Sequence, residues 1–474
     1  MEQSKKYICC TCVKETYLSL LIRREGTQTV CSYCEEENQC IKISELADKI
    51  ELAFEQHYQR TSTEPDSYEY TFMKESWERE GDEVLYVIAD AAGIDENVAN
   101  DILDILEKSH YDHHKAKVWE ETPFARDAHY IPNSPDSGEY YRKWLTFETH
   151  LKNEARFFSR FTRDILNDLF ENIETLKTKA GAPVIQTIGP DTALAHLYRA
   201  RVFQSRDDVL KEALSYPWKG LGPPPSVAAT AGRMNAHGIS VFYGSTFPDT
   251  AIAEVRPPVG SRVAVAKFDI IRRLRLLDVL ALQEIFTDGS IFDPDHLGQI
   301  QLSTFLRHLS RRITKLIMPD DEVFEYLPTQ AIADYLASEC MLDGIIFLSA
   351  QARDKDQLNV VLFHHASAVE IPELPEGTEI EVRLESLGED SPSLDYRVWE
   401  SVPTEIKAPN SKKEGRLMML SPAFENDKWD ARQPALRIDV KQIAVHHITM
   451  VKFTYDSYEI HRRRSTNSTT TSDF

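Results

Sequence analysis

Two Cys-x-x-Cys pairs, Cys9 with Cys12 and Cys31 with Cys34, limit what the first forty residues can fold into. So short a segment cannot bury enough apolar surface to be stable alone. Two tight turns that each present two sulfurs to one tetrahedral ion supply the missing free energy through metal binding. The eighteen-residue spacer fits a four-thiolate zinc ribbon, so a structural zinc on Cys9, Cys12, Cys31 and Cys34 is expected within residues 1–42. Four thiolates leave no open coordination position, which argues against a catalytic metal. Cys10 and Cys40 stand close by as alternative ligands, and the isolated Cys340 reads as a buried helix residue.

From Ser44 to about Thr178 the apolar spacing is helical. Leu46, Ile50, Phe54 and Tyr58 recur at i+4, and Asp95 is placed to cap a helix carrying Val98, Ile102, Ile105 and Leu106. Trp144, Phe147, Leu151, Phe158, Ile165, Leu169, Ile173 and Leu176 mark a long later segment. These patterns predict an all-helical domain over residues 43–178. His110, His113 and His114 beside Asp112 offer a metal reading, although polar residues at a helix end are more often a solvated face. Arg142 and His150, eight apart, share a helical face too poorly for a nuclease pair.

Gly181 and Pro183 punctuate the change of pattern, and short strands follow at residues 197–202, 240–244, 262–270, 274–279, 344–348 and 358–363. Helices are predicted between them at 248–255, 297–316 and 328–339. The fold class is therefore α+β, with a zinc ribbon and helical domain followed by a mixed, mostly antiparallel sheet domain over residues 185–370. Residues 371–474 form an extension rich in proline, acid and serine, with a strand expected at 448–455 and a disordered polar tail from Arg464. No internal repeat is visible.

The formal charge of −22 repels phosphate backbones, which argues against broad nucleic-acid binding and leaves room for a small anionic ligand held by a few arginines. The chain opens without a signal peptide and contains no apolar run long enough to span a membrane, and its cysteines suit a reducing compartment, so the expected location is cytoplasmic.

The stretch from Ala231 to Glu254 reads as a loop, a strand and a helix that bring Arg233, Tyr243 and Glu254 together. A guanidinium, an aromatic face and a carboxylate are the groups that would hold an anionic dinucleotide, stack its nicotinamide and stabilise a ribosyl cation. Arg199 on the first long strand and Arg233 offer planar forks to the two phosphates, and Ser349, after the apolar run Ile345-Ile346-Phe347, offers a hydroxyl. Taken singly, each has a plainer reading: a surface ion-pair partner, a core tyrosine, a solvated helix end, a strand terminus. Asn235 and Gly238 look like turn formers, and His237 is an acid or base only if it points inward.

Leu197-Tyr198-Arg199-Ala200-Arg201, Gly232-Arg233-Met234-Asn235, Tyr243, Thr250-Ala251-Ile252-Ala253-Glu254 and Asp343-Gly344-Ile345-Ile346-Phe347-Leu348-Ser349 occur in that order, and together they resemble the RES domain. The preceding region resembles the HEPN-like N-terminal domain of longer RES proteins. The resemblance implies an ADP-ribosyltransferase-like fold, NAD as the substrate that is degraded, and a bacterial toxin whose protein antitoxin covers the active site. By position Arg199 matches the family's first arginine, Arg233 its second, Tyr243 its aromatic residue, Glu254 its glutamate and Ser349 its serine; Arg201 and Asn235 join the expected binding set. Phe347 stands where tyrosine is common and Leu348 where proline is common. Hydrolysis and phosphorolysis of NAD both fit, as does a homo-oligomer. The competing readings are ADP-ribosyl transfer to a macromolecule and an inactive RES-like module that binds RNA or protein.

Overall fold

A computed structural model describes residues 6–65, 77, 79–111, 121–133, 138–156, 159–315, 317–318, 320–351, 356–387, 392–403, 430–452 and 454–463. The chain begins with β1 (Tyr7–Cys9), α1 (Thr16–Glu25), β2 (Thr27–Val30) and β3 (Glu37–Lys42), the strands forming an antiparallel sheet in the order β1-β3-β2. Next come α2 (Ile43–His57), β4 (Tyr58–Arg60), β5 (Asp82–Glu83), α3 (Val84–Ala92), α4 (Glu96–Ser109) and β6 (His129–Pro132). Ile8, Leu18 and Ile22 of the ribbon share one core with Leu46, Ile50, Phe54, Ile88, Ile102 and Leu106, the i+4 stripes of the helices. Gly93 ends α3 at φ +59, with its carbonyl accepting the Lys14 N–H; a Cβ there would lie 2.9 Å from the Lys14 side chain.

The all-helical expectation needs correction here. A three-stranded sheet, β4-β6-β5, lies among the helices, and Tyr58, expected to extend α2, opens β4 opposite Pro132. Strands of two to four residues leave no periodicity to detect. His110 sits at the end of α4 with Nε2 2.5 Å from a Glu51 carboxylate oxygen and its ring against Phe124. His113, His114 and Asp112 lie outside the described residues, as does Phe158.

The long later segment is two helices, α5 (Gly138–Asn153) and α6 (Arg160–Phe170), with the Ser159 hydroxyl accepting the Thr162 N–H at the start of the second. Their buried Trp144, Phe147, Leu151, Ile165 and Leu169 pack with residues of the following sheet domain, among them Leu277, Phe305, Leu309, Ile345 and Val361. That domain comprises β7 (Ile185–Ile188), β8 (His196–Phe203), α7 (Asp207–Ser215), α8 (Pro217–Gly220), β9 (Phe242–Ser245), α9 (Pro248–Glu254), β10 (Arg262–Ile270), β11 (Leu274–Asp278), α10 (His296–Thr314), α11 (Glu322–Glu325), α12 (Leu327–Ser338), β12 (Gly344–Leu348) and β13 (Leu358–Leu362). The hairpin β14 (Glu379–Leu387) and β15 (Pro392–Ser401) follows, and then β16 (Leu436–His447). Eight strands form one sheet in the order β16-β10-β8-β9-β13-β12-β11-β7, parallel between β11 and β12 and antiparallel elsewhere.

Both faces of the sheet are covered. Ile345 and Val361 face the core shared with α5, α6, α10 and α12, while Ile346, Val360 and Leu362 face a second core with Leu210, Trp218, Leu384 and Leu436. Burial on both sides explains why the central strands read as unbroken apolar runs. Cys340 is half-buried in the turn after α12 rather than within it.

The strand expected at 448–455 is absent among its described residues; the strand is Leu436–His447, paired along β10 from Arg262↔His447 to Ile270↔Leu436. Its alternation was masked by the polar composition around it. The tail from Arg464 lies outside the described residues. Among the described residues no helix is long and apolar enough to cross a membrane. The segment before α10 carries Phe292 into the N-terminal core, and His296 at the start of α10 lies near enough to His57 for their charges to interact.

Candidate active site

The two cysteine knuckles converge. The sulfurs of Cys9, Cys12, Cys31 and Cys34 all lie within 4.8 Å of one another, with Cys9 3.6 Å from Cys34 and Cys12 3.8 Å from Cys31. The edge of a zinc–thiolate tetrahedron with bonds of ~2.3 Å is roughly 3.8 Å, so these residues fit the ion. Cys10 and Cys40 turn elsewhere, toward Asn38 and the Thr29 carbonyl. Burial raises the Cys9 thiol, but hydrogen bonds from Thr11 and Cys12 outweigh it and bring the group down to about 6. Four thiolates this close repel one another, and a divalent cation is the group that offsets the repulsion.

A cleft of about 420 Å³ opens in the sheet domain where β8, β9, β12 and β13 meet α9, α10 and α11. Its lining includes Tyr198, Arg199, Arg233, Tyr243, Glu254, Arg256, Tyr326, Phe347 and Asn359. Arg199, on β8, is among the lining residues, and its guanidinium lies 5.5 Å from the centre of the Phe242 ring. Its Nη1 is buried without a hydrogen-bond partner, and burial, then the charge of Arg201, lowers its pKa to about 10. A buried, unpartnered guanidinium nitrogen is costly unless a ligand answers it.

Glu254 ends α9, and its Oε1 accepts from the Ser349 hydroxyl and from Asn359 Nδ2 at 2.8 Å. Asn359 is 6% exposed and is itself oriented by Ser245, whose hydroxyl donates to its Oδ1 at 2.8 Å. One carboxylate oxygen is thus held from two strands, while Oε2 has no hydrogen bond among the described residues. Ser349 is 1% exposed and gives its hydrogen to Glu254.

Tyr243 offers the cleft its ring. Its hydroxyl donates to Asn235 Oδ1 at 3.0 Å and accepts the Met234 N–H at 3.1 Å, and burial pushes its pKa up to about 12. Asn235, 4% exposed, spends Nδ2 on the carbonyls of Thr230, Ala236 and Ile239 and does not line the cleft. It is the turn former, and Gly232 is fixed beside it because a Cβ there would lie 2.6 Å from Asn235 Oδ1 and 2.7 Å from the Tyr243 hydroxyl. Arg233 reaches the cleft wall, but Nη1 donates to the Ile313 carbonyl at 2.5 Å and Nη2 to that of Lys315 at 2.6 Å, with the guanidinium 5.6 Å from the Tyr326 ring centre.

Arg199, Arg233, Tyr243 and Glu254 therefore share one cleft, and Ser349 backs it. Arg201 does not join them: it lies in a separate groove with Glu212 and Tyr216, its Nη1 donating to the Gly220 carbonyl. His237 is exposed and lines nothing in the cleft. The sequence reading missed Asn359, Arg256 and Tyr326. Asn359 was detectable as the single polar residue within the apolar strand Leu358–Leu362.

The model of the RES domain family matches residues 196–384, and that of HEPN/RES N-terminal domain 1 matches residues 24–164. No curated protein matches the chain. Among solved structures, a chain in the crystal structure of the M. tuberculosis MbcT–MbcA toxin–antitoxin complex aligns at 10% identity over 50% of this chain and 92% of its own length. Its TM-score is 0.22. The two family matches lie in the order expected and the RES match spans the whole cleft, so the chain belongs to the RES-domain proteins that carry a HEPN/RES N-terminal domain.

Proposed function

We propose that this protein consumes NAD by cleaving the bond between nicotinamide and ribose. The observation that carries the reading is a carboxylate, Glu254, held at one oxygen by Ser349 and Asn359 in a cleft also lined by Arg199, one guanidinium nitrogen of which is buried without a hydrogen-bond partner. Departure of nicotinamide leaves positive charge on the ribose, as in glycoside hydrolysis, and the fixed carboxylate stabilises that charge as it develops. Arg199 meets the negative diphosphate, and the face of Tyr243 stacks on the departing ring. With water as acceptor, the oxygen adds to the ribose carbon, nicotinamide leaves with the bond pair, and ADP-ribose and a proton are released; phosphate as acceptor gives the ribosyl phosphate instead. A cleft of 420 Å³ falls within the roughly 300–1,000 Å³ of small-molecule sites.

Family membership supports the further reading that this is the activity of a toxin restrained by a protein antitoxin. The four-thiolate cluster is assigned a structural zinc. Purified protein incubated with NAD, with and without phosphate, tests the activity: nicotinamide release is expected from the native protein and its loss from Glu254→Gln. Equal release from both would reject the mechanism, and label retained on a macromolecule with little free ADP-ribose would instead favour transfer.

A further inference from the structure

We propose that Arg256, rather than Arg233, is the second cationic contact for the diphosphate of the bound dinucleotide, acting beside Arg199. The inference rests on the NAD reading and refines it. Both terminal nitrogens of Arg233 already donate to the carbonyls of Ile313 and Lys315, and its guanidinium lies 5.6 Å from the Tyr326 ring centre. Its fork is spent on holding the end of α10, and turning it toward a ligand would leave two carbonyls without their donor.

Arg256 presents the opposite case. It lines the same cleft, is exposed, and its side chain makes no hydrogen bond or ion pair among the described residues. Its backbone lies at φ +43, in the left-handed region, at the position after a helix where glycine is usual. Pro257 follows, which further restricts the conformations open to Arg256. Only the main chain is tied there, by an N–H to the Ala253 carbonyl. A strained position that carries a long cation with no hydrogen-bond or ion-pair partner among the described residues, two residues after Glu254, is best accounted for by a ligand that the cation meets. Tyr326 and Glu322 line the same cleft, and the Tyr326 hydroxyl donates to the Glu322 carboxylate at 2.9 Å.

The test is calorimetric binding of ADP-ribose and of nicotinamide riboside to the full-length protein and its Arg256→Gly variant. Glycine suits a φ of +43, so this variant removes the side chain while easing the backbone and should unfold at an equal or higher temperature. Binding of ADP-ribose, which carries the diphosphate, is expected to weaken roughly ten- to a hundred-fold, and that of the riboside to stay unchanged. Arg256→Lys should recover part of the loss, since it restores the charge but not the fork. Equal ADP-ribose affinity in native protein and Arg256→Gly, or an equal loss for both ligands, overturns the assignment of Arg256 alone. Failure of the native protein to bind ADP-ribose overturns the NAD reading and the assignment with it.

Discussion

Replacing Arg233 with alanine separates a structural arginine from a substrate-binding one. The native guanidinium gives two charge-assisted hydrogen bonds to main-chain carbonyls, at 2.5 and 2.6 Å, and lies over the Tyr326 ring at 5.6 Å. Such bonds contribute about 1.5–3 kcal/mol each, and the lower figure suits this half-buried group, giving about 3 kcal/mol for the pair. The aromatic contact adds about 0.5–1 kcal/mol. The loss falls on the end of α10 and the approach to α12, where Thr329 also donates to the Arg233 carbonyl. Hydrogen exchange followed by mass spectrometry reads this locally, which suits a chain with more than one core. Amides in peptides covering residues 307–330 should exchange on the order of 10²-fold faster in Arg233→Ala, and Arg233→Lys should lie between the two, since one ammonium cannot span both carbonyls. Unchanged exchange in this segment together with lost ADP-ribose affinity would refute the reasoning and return Arg233 to the diphosphate.

Ser349→Ala and Asn359→Leu should each lower kcat on the order of 10–100-fold at nearly constant KM, because both orient Glu254; a change confined to KM would place them on the substrate instead. Tyr243→Phe keeps the ring but frees the Met234 N–H and Asn235, so it should cost about 1–2 kcal/mol in denaturant stability and leave turnover within a few-fold; a large loss of turnover at full stability would mean that the hydroxyl takes part in the reaction. Native protein should contain one equivalent of zinc by elemental analysis, absent from Cys31→Ser, and removal of the metal should raise protease sensitivity within residues 7–42; metal-free native protein with an intact ribbon would refute the zinc assignment. Burial, and then the nearby His296, lowers the pKa of His57, so the folded state binds fewer protons than the unfolded one between that depressed value and the ordinary ~6.5. Stability is therefore full above about 6.5 and falls as pH drops through that window; His57→Phe should flatten the slope between pH 5 and 7, and an unchanged slope would reject the linkage.

The longer strands of the sheet were legible because each is either an apolar run buried on both faces, as in Ile345-Ile346, or a long alternation, as in Arg262–Ile270. The order of arginine, tyrosine, glutamate and serine along the chain pointed to one site, and the fold gathers those side chains there. Sequence spacing failed where long-range geometry decides. Arg201 shares a strand face with Arg199 by alternation, yet lies against α8 rather than in the cleft. No local pattern reveals that two carbonyls at the end of α10 claim the fork of Arg233, or that Arg256 sits at positive φ. The short β4, β5 and β6 escaped because two to four residues carry no period, and β16 because its alternation lay in a polar surrounding.

The seating of Phe292 in the N-terminal core, and of Trp144 and Phe147 against Phe305 and Leu309, bears on how this protein can be cut into pieces. A fragment starting at residue 185 would lose α5 and α6, two of the four helices that cover one face of its sheet, and a fragment ending at 164 would lack the phenylalanine that completes its interior. Expression of either half should therefore yield aggregating material, whereas two fragments supplied together have a reason to find each other. For the same reason recombination that exchanges the front half of such a chain must bring matching residues near position 292, so the two halves are expected to change together over evolutionary time rather than shuffle as independent cassettes.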